Sequence, residues 1–248
     1  MGKAILIDVG NSSAKWTVGD LASAGLVGPV SRCERSVTAL VDGLRSARTL
    51  QGLQAVYVAS VAGDSFNEAL RKALLADGWL SVVLAQTPGA EQGLVNSYAQ
   101  PATMGVDRWL AMLAVHAEGR NPALVVDAGT ALTIDLVGAD GRHQGGYIVP
   151  GIGLMETAIT RDTQRVRFSE TVPSAISPGQ STAECVVGGL WLALLSTVRE
   201  VASSHPQHRM VVTGGDGATL LSLGLEGEWR AHLVLEGLAI YARHRVEA

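Results

Sequence analysis

The sequence predicts an α/β protein made of two similar halves, because one short motif occurs twice. The motif is a buried-strand pattern that ends in Asp-x-Gly and a small polar residue, and it occupies residues 5–12 and 124–131. Its aspartates, Asp8 and Asp127, are 119 positions apart (127 minus 8), close to half of the 248 residues. A second β-like run follows each copy. Repetition on this scale indicates duplicated structural units.

The remaining elements follow from the spacing of apolar residues. In the first half we expect strands at 5–9, 14–18, 25–30, 56–61 and 79–84, and helices at 37–47, 64–76 and 106–117. In the second half we expect strands at 124–128, 132–136, 143–149 and 210–213, and helices at 153–163, 181–203 and 233–245. Residues 86–103 are predicted to form a loop, and a loop of that length is usually functional or disordered.

Three consecutive strands, then a helix, a strand and a helix, occur in each half. This is the ribonuclease-H-like arrangement in duplicate, with two mixed five-stranded sheets flanked by helices. We expect one lobe at residues 1–118 and a second at residues 119–248.

The repeated turn has the chemistry of a phosphate site. Glycine lets backbone N–H groups approach an anion closely, and Asn11, Ser12 and Thr130 add side-chain donors. A carboxylate beside a phosphate needs a cation between them, so Asp8 and Asp127 suggest a metal–nucleotide site of the kind that Mg²⁺ forms. The alternative is that Asp-x-Gly simply ends a strand in a turn.

The bulk composition excludes several classes of function. A net charge of −4 argues against a nucleic-acid partner. The longest apolar stretch, Val186 to Leu195, is too short to span a bilayer. The isolated Cys33 and Cys185 indicate reduced thiols in a cytoplasmic protein. Neither a Walker A motif nor a GxGxxG fingerprint is present.

Candidate residues outside the repeat lie before and within the helix predicted at 106–117. Asp107 and Arg108 fall in its first turn, where the helix dipole favours an ionised carboxylate. Asp107 is therefore either a helix-start residue or a base for a substrate hydroxyl. Arg108 could bind a substrate carboxylate or a neighbouring acid. Tyr98 in the loop and Lys15 in the first repeat are each as easily surface residues as ligand contacts.

Five segments, in order, resemble type III pantothenate kinase, of the acetate kinase, sugar kinase, Hsp70 and actin superfamily. They are DVGNSSAK at 8–15, GVDR at 105–108, DAGTALTID at 127–135, HQGGYIVPG at 143–151 and VVTGGD at 211–216. The resemblance extends over essentially the whole chain. Ser12 departs from it, since the family usually has Thr at this position, but the hydroxyl is kept.

The resemblance implies that the γ-phosphoryl group of ATP is transferred to the primary hydroxyl of pantothenate, the first step of coenzyme A biosynthesis. It implies that ATP is held by Asp8, Val9, Gly10, Asn11, Ser12, Ser13, Ala14, Lys15 and Thr130, with Asp8 acting through Mg²⁺. It implies that pantothenate is held by Tyr98, Gly105, Val106, Asp107, Arg108 and Thr182.

Further roles are implied by the same resemblance. Asp107 would be the proton acceptor, and Asp127 would hold a monovalent cation, K⁺ or NH₄⁺. The family is dimeric, so we expect a homodimer with contacts in the second lobe. Two other functions stay open at this point: a sugar or carboxylate kinase of the same superfamily, and a non-catalytic nucleotide-binding regulator of the same fold.

Overall fold

The computed structural model describes residues 2–45, 47, 53–162 and 173–247. Two compact units make up the chain: Met1–Glu118 with His232–Ala248, and Gly119–Ala231. The final helix, predicted to lie in the lobe 119–248, instead belongs to the first unit. Residue 46 of the predicted helix 37–47 and Thr163 at the end of the predicted helix 153–163 lie outside the described residues.

The elements are numbered in chain order. Up to residue 116 they are β1 (Lys3–Val9), β2 (Ser13–Asp20), β3 (Gly25–Leu26), β4 (Ser31–Glu34), α1 (Val37–Arg45), β5 (Leu53–Ser60), α2 (Asp64–Ala76), β6 (Val82–Leu84), β7 (Ala90–Glu91), β8 (Leu94–Val95) and α3 (Val106–His116). From residue 123 they are β9 (Ala123–Ala128), β10 (Ala131–Val137), β11 (His143–Pro150), α4 (Ile152–Asp162), α5 (Thr182–Ser204), β12 (Arg209–Thr213), α6 (Gly217–Ser222), β13 (Glu228–Trp229) and α7 (Leu233–Glu247).

The two main sheets have the same topology. The first runs in the order β3-β2-β1-β5-β6, and β4 pairs with β2 beside this path. The second runs β11-β10-β9-β12-β13. In both, the first two strands are antiparallel, and β5 or β12 pairs parallel to the other side of the first strand. The predicted duplicated ribonuclease-H-like fold is confirmed, and the first sheet carries one strand more than predicted.

Each unit has its own apolar core. In the first unit, Ile5, Ile7 and Val9 alternate along β1 and pack with buried residues of α1 and α2, as a strand with one face on a helical layer requires. In the second unit, β9 and β10 pack with the inner face of α5. By length and composition alone α5 could cross a bilayer. However, its residues Trp191 and Val198 are buried in this core.

The final helix packs on α3 with an unusually close backbone approach. A Cβ added to Gly237 of α7 would collide with the backbone carbonyl of Leu110 in α3. Glycine at this crossing lets the two helices meet without a side chain between them. This packing explains why α7 belongs to the first unit. No local sequence pattern predicts the contact between α7 and α3.

The segment predicted as a loop at 86–103 contains regular structure. Strands β7 and β8 form a hairpin around Gln92 and Gly93, whose φ angles are 50° and 88°. Two consecutive residues with positive φ make the type I′ turn that suits a tight hairpin. A single 3₁₀ turn at Pro101–Thr103 follows. Two-residue strands carry no periodicity, so the sequence pattern missed them, as it missed β4, α6 and β13.

Candidate functional site

The first glycine turn joins β1 to β2 at the carboxyl edge of the first sheet. The N–H of Gly10 donates to the carbonyl oxygen of Ser13 at 3.0 Å and closes the turn. A Cβ at Gly10 would stand 3.3 Å from that oxygen, tighter than most side chains tolerate. Asn11 and Ser12 are exposed at the tip. The turn therefore exposes two polar residues shortly after Asp8 in the chain.

Two cations flank this turn on the same face of the sheet. Asp8 pairs directly with Lys15 across β1 and β2, and Lys15 pairs with Arg32 across β2 and β4. Directly opposed residues in antiparallel strands point to the same face. Arg32 Nε also donates to the hydroxyl of Ser13 at 3.1 Å. Sequence reasoning missed Arg32, because it lies in a strand that was not predicted.

The start of α3 places the carboxylate of Asp107. Its Oδ1 accepts the backbone N–H of Arg108 at 2.8 Å. Gly105 is the residue that precedes the helix, and a Cβ there would stand 2.5 Å from the same oxygen. The carboxylate therefore folds back over the helix N-terminus, where N–H dipoles favour its negative charge.

Arg108 and Tyr98, two of the predicted substrate-site residues, contact each other. Arg108 is 8% exposed, and its Nη1 donates to the Tyr98 hydroxyl at 3.0 Å. The backbone N–H of Tyr98 donates in turn to Oδ1 of Asn96 at 2.9 Å. Asn96 is buried, and its own N–H donates to the carbonyl of Gly89 at 2.8 Å. The long segment before α3 is thus held by hydrogen bonds around one buried amide.

The second glycine turn, between β9 and β10, is also closed by a glycine N–H, but three residues (129–131) separate its paired strand ends instead of four (10–13). The N–H of Gly129 donates to the carbonyl of Ala131 at 3.0 Å, and the carbonyl of Thr130 accepts the N–H of Gly151 at 3.0 Å. Asp127 pairs with Thr213 across the parallel strands β9 and β12. The carboxylate of Asp127 therefore lies where β12 ends.

The third glycine turn, after β12, lies against Asp127. Gly214 has φ of 91°, and a Cβ there would collide with Asp127 Oδ1 and with the carbonyl oxygen of Ala128. Only glycine therefore lets the third turn pack this closely against Asp127 and the backbone of Ala128. The N–H of Asp216 donates to the Ala128 carbonyl at 2.9 Å. Burial raises the pKa of Asp216 above its ordinary value.

Thr182 is the first residue of α5 and is exposed. Next to it, Ser181 caps the helix: Ser181 Oγ accepts the N–H of Glu184 at 3.2 Å, and Glu184 Oε2 accepts the N–H of Gln180 at 2.8 Å. Among the described residues, no group of three or more His, Cys, Asp or Glu side chains is arranged to hold a metal ion. A Mg²⁺ that is bound through a carboxylate and nucleotide phosphates needs no such group.

Comparison with known proteins assigns the chain to a family. A family model for type III pantothenate kinase matches residues 4–204. A type III pantothenate kinase of Marinobacter nauticus is 37% identical over 244 residues, which are 94% of this chain and 96% of that protein.

Two solved structures share the fold. One, described as a conserved putative Baf family transcriptional activator from Campylobacter jejuni, is 19% identical with a TM-score of 0.68, and the match covers 98% of this chain and 100% of that one. The other is the activator of the 2-hydroxyisocaproyl-CoA dehydratase from Clostridium difficile with bound ADPNP, at 10% identity and a TM-score of 0.58, covering 99% and 96%. The sequence match, over nearly the full length of both chains, carries the assignment: this chain belongs to the type III pantothenate kinase family.

Proposed function

We propose that this protein transfers the γ-phosphoryl group of ATP to the primary hydroxyl of pantothenate, which gives 4′-phosphopantothenate in the first step of coenzyme A biosynthesis. Family membership supports the substrate. The observation that carries the proposal is the start of α3, where Asp107 and Arg108 lie side by side and Arg108 binds Tyr98. A carboxylate next to a buried guanidinium suits an acceptor that carries both a hydroxyl and a carboxylate, as pantothenate does.

ATP is held by the residues of the first turn, 8–15, and by Thr130 of the second. The donors of the first turn and the positive charges of Lys15 and Arg32 suit a polyphosphate. Asp8 acts through Mg²⁺, which neutralises charge on the phosphate oxygens when it is bound. Asp127 holds a monovalent cation, K⁺ or NH₄⁺. The support for this role is the resemblance of residues 127–135 to the family's second phosphate motif, together with the place of Asp127 near the end of β9, beside the glycine turn that follows β12.

Pantothenate is held by Tyr98, by Gly105, Val106 and Arg108 at the start of α3, and by Thr182. Asp107 accepts the proton of the attacking hydroxyl. Phosphoryl transfer passes through a loose transition state, so positioning and charge neutralisation do most of the work. An ordinary carboxylate is then a sufficient base, since the proton leaves late.

The active protein is a homodimer that contacts its copy through the second unit. Large apolar side chains are exposed there on β11, α4 and α5, at Tyr147, Ile148, Leu154 and Leu192. Their exposed fractions run from 47% to 59%, which is unfavourable for four such residues unless a partner covers them. Analytical sedimentation of wild type and of Leu192→Glu measures the oligomeric state. We expect a dimeric wild type and a monomeric variant, and a monomeric wild type would contradict the proposal.

The protein acts in the cytoplasm on a small molecule, without nucleic acid or membrane. The net charge of −4 and the burial of the inner face of α5 support this placement.

A coupled assay of ADP release tests the function. Purified protein with ATP and Mg²⁺ is expected to release ADP only when pantothenate is added, and faster with K⁺ than with choline at equal ionic strength. A panel of sugars and short carboxylic acids serves as the control. ADP release with one of these instead of pantothenate would indicate another kinase, and none at all would indicate a nucleotide-binding regulator.

A further inference from the structure

The final helix, α7, makes side-chain hydrogen bonds to the segment between β6 and α3 at two points. Near the start of that segment, the hydroxyl of Tyr241 accepts the backbone N–H of Gln86 at 3.1 Å. In the hairpin of β7 and β8, Oε1 of Glu91 accepts from Nη1 of Arg245 at 2.6 Å. Each contact joins residues more than 150 positions apart. Helix α7 is thus hydrogen-bonded to the segment that contains Gln86 and Glu91.

The acceptor groups in these two contacts are largely shielded from water. The side chain of Glu91 is 3% exposed, and Tyr241 is equally buried. The guanidinium of Arg245 stacks over the Tyr241 ring, with Cζ 3.2 Å from the ring centroid. Burial also raises the pKa of the neighbouring Tyr57. Polar groups in such surroundings are costly to leave unpaired, so these contacts hold one geometry rather than several.

A continuous set of hydrogen bonds runs from the hairpin of β7 and β8 to the start of α3. The backbone of Gly89, just before the hairpin, accepts from Asn96, just after it, and Asn96 accepts from Tyr98. The Tyr98 hydroxyl accepts from Arg108, which neighbours the carboxylate of Asp107. A shift of the hairpin would therefore reach the residues that bind the acceptor.

We propose that Tyr241 and the Glu91–Arg245 pair are positioning residues for the acceptor substrate, acting through the 86–98 segment on Tyr98 and Arg108. They do not themselves contact the substrate. The inference rests on the proposed function for the identity of that substrate, pantothenate. The family model ends at residue 204, so α7 contributes this role from outside the matched part of the chain.

Two conservative variants test the proposal. Tyr241→Phe removes the hydroxyl that accepts the Gln86 N–H and keeps the ring under Arg245. Glu91→Gln removes the buried charge but leaves Arg245, whose side chain is 33% exposed, able to reach water. We expect KM for pantothenate to rise about three- to tenfold in each variant, since Tyr241→Phe loses one hydrogen bond and Glu91→Gln weakens a charge-assisted one. KM for ATP should change by less than about twofold, because the first turn is not part of this contact chain.

Matched controls separate positioning from general damage. Tyr57→Phe makes the same chemical change in the same buried neighbourhood without touching the Gln86 bond. Arg71→Met removes an ion pair with Glu68 on the surface of α2. Both controls should keep the wild-type KM for pantothenate. An equal rise in both KM values, or the same rise in Tyr57→Phe, would show a merely structural role and overturn the proposal.

Amide hydrogen exchange of residues 86–98 in Tyr241→Phe provides a readout without turnover. Faster exchange in this segment, with wild-type exchange in β1 and β5, is the expected result. Unchanged exchange in the segment would overturn the proposal whatever the kinetics. A wild type that releases no ADP with pantothenate would instead refute the proposed function, and the exchange measurement would still decide whether α7 holds the loop.

Discussion

Oδ1 of Asp107 lies so close to Gly105 that a Cβ added to Gly105 would stand 2.5 Å from it. The same oxygen accepts the N–H of Arg108 at 2.8 Å. The position of this carboxylate therefore depends on two things: the absence of a side chain at Gly105, just before the helix, and the hydrogen bond from the Arg108 N–H. Gly105 has an ordinary negative φ of −54°, so the need for glycine here is one of space and not of backbone conformation.

Gly105→Ala is expected to lower kcat by about 100-fold, because a displacement of a reacting group by about 1 Å can cost that much. The methyl group would push the Asp107 carboxylate away from its place over the helix start. The dissociation constant for ATP, measured by calorimetry, should stay at the wild-type value. Gly153→Ala in α4 is the matched control, since a Cβ there meets nothing within 4 Å. Wild-type turnover in Gly105→Ala would show that the position of Asp107 is not critical.

Asp107→Asn is expected to bind ATP normally and to lose about 10²- to 10⁴-fold in turnover, the usual contribution of a general base. The amide oxygen can still accept the Arg108 N–H, so the helix start should keep its structure. Asp64→Asn is the control, because Asp64 is the first-turn acid of α2 and has only the dipole interaction in common with Asp107. Single-turnover kinetics measure the chemical step, and near-normal rates would remove Asp107 from the role of base.

The duplicated fold could be predicted because its signal is local and repeated. The alternation along β1 and the Asp-x-Gly ends at Asp8 and Asp127 are visible in single segments of the chain. The capping box at Ser181 and Glu184 was predictable for the same reason: its two partners are three residues apart.

What the sequence did not reveal depends on contacts between distant residues. Arg32 reaches the first turn only because β4 adds to β2, and a four-residue edge strand has no period to detect. The α7 helix packs on the first unit because Gly237 leaves space for the backbone of Leu110. A glycine inside a helical pattern does not predict which helix it will contact. The Tyr241–Gln86 bond spans 155 positions.

Arg32→Met is expected to weaken ATP binding by about three- to tenfold, the range for losing a charged hydrogen-bond donor at a partly exposed site. The reason is its place beside Ser13 and opposite Lys15. Calorimetric titration with ATP at low and high salt measures the effect, and the loss should shrink at high salt because screening weakens the lost interaction. Arg45→Met, which breaks an exposed ion pair with Asp42, is the control. Equal affinities in both variants would place Arg32 outside the nucleotide site.

Exchange of K⁺ for choline at constant ionic strength is expected to reduce the wild-type rate. Asp127→Asn should weaken activation by K⁺ by at least about tenfold, as expected for the loss of a metal-site carboxylate. The KM for pantothenate should change less than the K⁺ activation constant, measured by titration with KCl. Asp140→Asn, in the exposed hairpin turn of the same unit, is the control. A full K⁺ response in Asp127→Asn would assign the cation to other ligands.

Asp216 is expected to reduce the stability of the folded protein at neutral pH. Burial raises the pKa of its carboxyl above the ordinary value of 3.8, so between these two values the folded state binds more protons than the unfolded state. The free energy of unfolding therefore falls as the pH rises through that window. Asp216→Asn should remove this penalty, and the variant should be more stable than wild type at neutral pH and no more stable below pH 3.8.

Glu68→Gln gives the opposite sign and serves as the control. The hydrogen bond from Arg71 lowers the pKa of Glu68, so its ionised form adds stability above the unfolded pKa, and that stability is lost as the pH falls through the lower folded value. Replacing it should therefore reduce stability at neutral pH. Urea unfolding of both variants, without ATP and at several pH values between about 3 and 7, compares the slopes. Destabilisation by Asp216→Asn at neutral pH would mean that the folded protein stabilises the ionised carboxylate, which would make Asp216 a member of a charged site.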